Sequence, residues 1–157
     1  MNEKPKLYML IGVPGSGKST WNENQEFWMK DVAYISTDKW VEMEAERRGV
    51  TYSEIFQEYM PKAVELMAHQ VELARDKGMD IIWDQTSTTI ASRAKKFRML
   101  PEYYTIGVVF RIPEQQELQR RLANRPGKVI PLDVLQSMID GWEEPTEDEG
   151  FDEIWRS

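Results

Sequence analysis

Directly after the apolar run Leu7-Tyr8-Met9-Leu10-Ile11 the chain reads Gly12-Val13-Pro14-Gly15-Ser16-Gly17-Lys18-Ser19-Thr20. This is a complete match to G-x-x-x-x-G-K-[ST], which needs a buried strand before it and a helix after it. The glycines let the backbone turn tightly and come close to phosphates. The N–H groups then point inward as an anion-binding nest, and the following helix adds the positive end of its dipole. Gly12, Pro14, Gly15, Ser16, Gly17, Lys18, Ser19 and Thr20 are therefore expected around a nucleoside triphosphate, most simply ATP. In this arrangement Lys18 reaches the β- and γ-phosphates and the Ser19 hydroxyl ligates Mg²⁺.

The rest of the chain alternates in the way that motif requires. Short apolar runs predict strands at 6–12, 32–36, 79–84 and 103–112, with a fifth, edge strand in Gly150-Phe151-Asp152-Glu153-Ile154-Trp155. Helical spacing is expected over 17–30, 38–48, 53–77, 90–100, 113–124 and 131–142, with Pro61 a candidate break in the third of these. Strands alternating with helices predict an α/β protein with a five-stranded parallel sheet, helices on both faces and a lid. At 157 residues the chain is expected to be one domain, 1–157, with the lid at about 121–131. Ligands in such sheets bind at the carboxyl ends of the strands, which places 12–20, 36–38 and 84–87 along one edge.

Composition narrows the function classes. Without cysteine there is neither a disulfide framework nor a thiolate-bound metal. No run approaches the roughly 18 apolar residues of a membrane span and no leader is recognisable, so a cytoplasmic protein without membrane contact is expected. The net charge of −7 argues against a nucleic-acid partner until its distribution is seen. Residues 142–157 hold seven acids and one base, so nearly all the excess sits there. Elsewhere lie two basic clusters, Arg93, Lys95, Lys96 and Arg98, then Arg120, Arg121, Arg125 and Lys128.

Three further segments bear on what happens to the phosphate. In "YISTDKW", Asp38 follows a strand, where a carboxylate could take the proton of an attacking hydroxyl; Asp38 or Thr37 could equally cap the next helix. In "IIWDQTST", Asp84 ends a strand and could hold Mg²⁺ or orient a base, while Thr86, Ser87 and Thr88 could cap a helix or touch substrate. In "RRLANRPGKVIP", Arg125 lies beyond a helix end beside a Pro-Gly breaker. An arginine carried there by a mobile lid could stabilise the charge on a transferring phosphoryl group.

Taken together, "IGVPGSGKSTW", "YISTDKW", "IIWDQTS" with its basic helix, and "RPGKVIPLDVLQSM" resemble the kinase domain of the phage-type polynucleotide 5′-hydroxyl kinases over nearly the whole chain. The resemblance implies transfer of the ATP γ-phosphate to the 5′-hydroxyl end of RNA or DNA. It implies Lys18 and Ser19 on the phosphates and Mg²⁺, Asp38 as general base, and Arg125 on the transferring phosphate. Arg121 belongs to the same lid, Asp84 matches the acid ending the third strand, and Ile130 falls near a substrate base. Thr86 and Arg93 are expected on the acceptor side. The family pattern has an arginine for the acceptor's 3′-phosphate where this chain has Val41, which leaves Lys39, Arg47, Arg48 or Arg93 to substitute. The same departure leaves open a small-molecule hydroxyl acceptor, such as a sugar, a nucleoside or an antibiotic. A nucleotide-binding module without turnover is a third reading. No phosphatase or ligase module follows in the sequence, so those steps would fall to separate partners, and self-association is compatible with the resemblance.

Overall fold

The computed structural model describes residues 3–25 and 31–156. Five strands, β1 Lys6–Ile11, β2 Val32–Ile35, β3 Asp80–Asp84, β4 Tyr104–Val109 and β5 Glu153–Arg156, form one sheet in the order β2-β3-β1-β4-β5. Every neighbouring pair is parallel. The central strand explains the order. β1 alternates Leu7, Met9 and Ile11 toward one face with Tyr8 and Leu10 toward the other, and all five are buried. A strand apolar on both sides needs cover on both sides, as in a parallel α/β sheet.

The cover comes from six helices: α1 Lys18–Gln25, α2 Thr37–Arg48, α3 Tyr52–Asp76, α4 Ile90–Met99, α5 Gln115–Ala123 and α6 Leu132–Asp140. On one face Met67, Val71 and Ala74 of α3 pack on Leu7, Met9, Ile35 and Ile81. On the other, Trp21 of α1 packs on the cluster around Tyr8, Leu10 and Phe110. The sheet, helices and edge strand agree with expectation, and the boundaries move by one to three residues. The expected continuation of α1 through 26–30 lies outside the described residues. Pro113 sits in the loop before α5 and not in its first turn.

Pro61 does not divide α3, which runs unbroken through it. The missing donor costs one helical hydrogen bond, but tertiary packing holds both sides. Upstream, Ile55 packs with Val41 and Ala45 of α2 and with Ala63; downstream, Met67 and Val71 grip the sheet. Among the described residues no helix is long and apolar enough to cross a membrane.

The acidic tail is not simply solvated. Arg93, fully buried, donates to both carboxylate oxygens of Glu149 at 2.8 and 3.1 Å and to the carbonyls of Ser87 and Glu143. The tail is thereby stapled to α4 before it enters β5. Lys96 is also buried, over the ring of Trp83. Arg93 and Lys96 of the first basic cluster are thus structural, Lys95 and Arg98 stay exposed, and the expectation that Arg93 contacts an acceptor is corrected. Its side chain has no exposed surface, and its hydrogen bonds go to the tail and to the Ser87 carbonyl.

Candidate active site

The carboxyl ends of β1, β2 and β3 open into one cleft of about 1770 Å³. Its floor is the loop between β1 and α1. Gly15 and Gly17 hold φ of +83° and +106°, a region that side chains disfavour. Gly12 is required for another reason: a Cβ there would stand 2.4 Å from Ser16 Oγ and 3.0 Å from Phe110 Cβ. The Gly12 N–H donates to the Thr86 carbonyl at 3.0 Å, tying the loop to the segment after β3.

Two polar groups in this loop stand out, one without a partner and one held only by backbone carbonyls. Ser16 Oγ is buried without a hydrogen bond. Lys18 Nζ folds back onto the carbonyls of Gly12, at 2.7 Å, and Val13, at 3.1 Å. Burial lowers the Lys18 pKa to about 8, against the opposing pull of Asp84 and Asp38. A nest of N–H groups, a stranded hydroxyl and an ammonium parked on carbonyls fit a polyphosphate. Among the described residues no group of three or more His, Asp or Glu could hold a metal ion alone. A divalent ion here would be shared by the Ser19 hydroxyl, Asp84 and phosphate oxygens, which suits Mg²⁺.

Two of the carboxylates that line the cleft, Asp84 and Asp38, are held by tyrosines. The Tyr34 hydroxyl donates to Asp84 Oδ2. Burial pushes the Asp84 carboxyl up, while the Tyr34 bond and the Lys18 charge pull it down. The Tyr52 hydroxyl donates to Asp38 Oδ1 at 2.6 Å. Burial and the Asp38 charge push that hydroxyl above its ordinary range, so it stays a donor. Asp38 is not a cap: Ser36 caps α2, accepting from the Lys39 N–H at 3.4 Å. Helix start and carboxylate are therefore supplied by different residues, and Asp38 is left to face the cleft.

The far wall is the segment after α5. Arg121 donates to the Gly15 carbonyl at 2.9 Å and to Glu117 at 2.8 Å. The segment is pinned to the start of α3, with the Ser53 N–H donating to the Gly127 carbonyl at 3.1 Å and the Val129 N–H to Ser53 Oγ at 2.9 Å. Lys128 Nζ donates to Glu42 at 2.9 Å and to Asp38 Oδ2 at 3.4 Å, and lies 4.5 Å from the centre of the Tyr52 ring. Arg125 lines the cleft, and its guanidinium has no hydrogen-bond or ion-pair partner among the described residues. Ile130 also lines it, with its other side packed on the cluster of Val13, Leu118 and Leu135.

The cleft thus gathers Pro14, Gly15, Ser16, Gly17, Lys18, Ser19, Thr20, Asp38, Asp84, Thr86, Arg121, Arg125 and Ile130, with Gly12 beneath the loop. Arg93 is absent from it. Ser87 and Thr88 are buried, and the cap of α4 is Thr89, in a reciprocal box with Ser92. Val41 is wholly buried in the α2–α3 seam, so that position cannot offer a cation to the cleft. Arg47 and Arg48 are spent on Glu44 and Glu58. Of the four substitutes expected, only Lys39 lines the cleft. Sequence reasoning missed Tyr34, Tyr52 and Glu42 and gave Lys128 no role of its own. Lys128 follows a Pro-Gly breaker, the one local signal that could have singled it out.

No curated protein matches the chain. Among solved structures, a chain of the Pnkp1/Rnl/Hen1 RNA repair complex superimposes with a TM-score of 0.70 at 19% identity, covering 90% of this chain and 45% of that one. The present chain therefore spans less than half the length of that relative. A candidate kinase from Chloroflexus aurantiacus J-10-fl gives 0.74 at 16% identity, covering 100% and 86%. A sugar kinase from Janibacter sp. HTCC2649 gives 0.61 at 18%, covering 97% and 85%. The likeness is one of fold, that of the P-loop kinases. Residues 7–145 match the family model described as AAA domain, and the chain belongs to that family.

Proposed function

We propose that the protein is an ATP-dependent kinase that phosphorylates the 5′-hydroxyl end of RNA or DNA. The observation that carries this reading is Asp38. It stands in the cleft that holds Lys18, it is free of any capping duty, and a tyrosine fixes its carboxylate. A hydrolase needs only water there; an acid held at the acceptor end of a wide cleft suits a hydroxyl brought from outside. The acceptor oxygen attacks the γ-phosphorus, its proton passes to Asp38, and the bond to the β-phosphate oxygen breaks to release ADP. Lys18 and Arg125 bear on the negative charge of the moving phosphoryl group. A Mg²⁺ ion held by Ser19 and Asp84 would neutralise phosphate charge.

The likeness to a chain of an RNA repair complex supports the nucleic-acid reading, and such complexes make separate repair partners a natural part of it. A second reading, a small-molecule hydroxyl acceptor, is favoured by the burial of Val41 and Arg93 and by the fold likeness to a sugar kinase. The experiment is γ-phosphate transfer from ATP to 5′-hydroxyl oligonucleotides, beside a panel of sugars and nucleosides. The proposal expects labelled ends with wild type and a loss of about a hundredfold or more with Asp38→Asn, as for a general base. Labelling of small hydroxyls alone would give the second reading the site.

A further inference from the structure

Both oxygens of Asp38 are taken. Tyr52 holds one; Lys128, brought by the segment after α5, holds the other and is shared with Glu42 over the Tyr52 ring. The Lys128 side chain is only 13% exposed, seated against carboxylates of Asp38 and Glu42 that themselves stay 50% and 44% exposed. Two backbone bonds to the start of α3 hold the segment in that position. An attacking hydroxyl donating to Asp38 Oδ2 would compete with the Lys128 ammonium for that oxygen. Meanwhile the cleft has few other cations for an anionic acceptor, because Arg47, Arg48, Arg93 and Arg121 are engaged elsewhere.

We propose that Lys128 is a specificity latch on the base: it closes Asp38 until an acceptor carrying a phosphate beside its hydroxyl draws the ammonium away. An uncharged hydroxyl, or water, has no charge with which to compete against Asp38 and Glu42 for the ammonium, and so leaves the latch shut. A phosphate does compete, because its oxygens offer the ammonium a charge-assisted hydrogen bond in place of the 3.4 Å contact to Asp38, and drawing the ammonium over frees the base beside the hydroxyl to be phosphorylated. The latch thereby selects the acceptor and guards ATP. Without it, water attacks the γ-phosphorus, gives its proton to Asp38, and breaks the bond to the β-phosphate to leave ADP and phosphate.

This inference rests on the kinase reading, and its test separates the two. Transfer to adenosine and to adenosine 3′-monophosphate, and ATP hydrolysis without acceptor, are measured for wild type, Lys128→Met, Lys128→Arg and Glu42→Gln. The latch expects wild type to prefer the 3′-monophosphate. It expects Lys128→Met to shrink that preference and to raise acceptor-free hydrolysis roughly three- to tenfold, the scale of one partly buried ion pair. Glu42→Gln should move hydrolysis the same way by less, and Lys128→Arg should keep both properties. Unchanged hydrolysis in both Lys128→Met and Glu42→Gln overturns the latch, whatever the acceptors do. Failure of wild type to phosphorylate either acceptor counts against the nucleic-acid reading, and the hydrolysis comparison still decides the latch.

Discussion

Lys18 is the residue on which nucleotide binding turns, and its charge is not guaranteed. Burial brings its pKa to about 8. Below that value the ammonium is already formed; above it, binding an anion must first protonate the amine. Nucleotide affinity should therefore weaken as pH rises from about 7 to about 9, with net proton uptake near pH 8 and above. Calorimetry in two buffers of different ionisation heat reads that uptake directly, and affinity that is flat across the range would contradict it. Gly17 gives a second prediction at this scale. Its φ is +106°, and a Cβ added there would meet only open space, so Gly17→Ala strains backbone without a clash. Nucleotide binding should fall while the core stays intact, as seen by fluorescence titration beside a melting curve. The glycines, Lys18 and Asp38 were legible because each chemistry sits within a few positions of its own strand. Tyr52 was not, because its partner Asp38 lies 14 positions away on another helix and only packing of the two helices joins them.

Among the elements, α4 and α3 separate what a pattern of residue types says from what packing does with it. Four bases within six positions of α4 read as a surface for phosphates. Two of them point inward, and the acid that neutralises Arg93, Glu149, lies 56 positions away in the tail. Spacing within a helix cannot report that. Arg93→Met should therefore act on stability and not on the reaction. Removing one side of a buried ion pair costs about 3–5 kcal/mol, measurable by urea denaturation, with little change in the acceptor KM of the folded fraction. α3 makes the opposite point. A proline ten residues into a helix reads as a break, yet the helix continues because packing outweighs one lost hydrogen bond. Pro61→Ala should raise stability by about 1–3 kcal/mol, less whatever the proline gains by restricting the unfolded chain. A drop in stability would mean that the proline is shaping the helix and not merely tolerated.

For the whole molecule, the sheet was the most legible part, since alternation of strand and helix is written into local composition. The charge map was not, because burial and ion pairing removed many of the cations that the sequence offers. The cleft keeps Lys39, Arg125 and Lys128 as cations within reach of an acceptor, on a protein of net charge −7. Three phosphate contacts to a single strand predict a slope of about −2 in log affinity against log salt. Fluorescence anisotropy with a labelled 5′-hydroxyl oligonucleotide would check it; a slope several times steeper would require phosphate contacts to cations outside the cleft.

The order β2-β3-β1-β4-β5 places one strand between the strand that delivers Asp38 and the strand that delivers the phosphate loop. With neighbouring strands about 4.8 Å apart, the loops after β1 and β2 leave the sheet about 10 Å from each other. That interval is a gauge cut into the backbone, with Asp84 at the end of its middle tooth. No side-chain replacement can lengthen or shorten it. Acceptors of different size or charge must be accommodated by what α2, α3 and the segment after α5 place around the gap, while the separation between the two arms is inherited from the sheet.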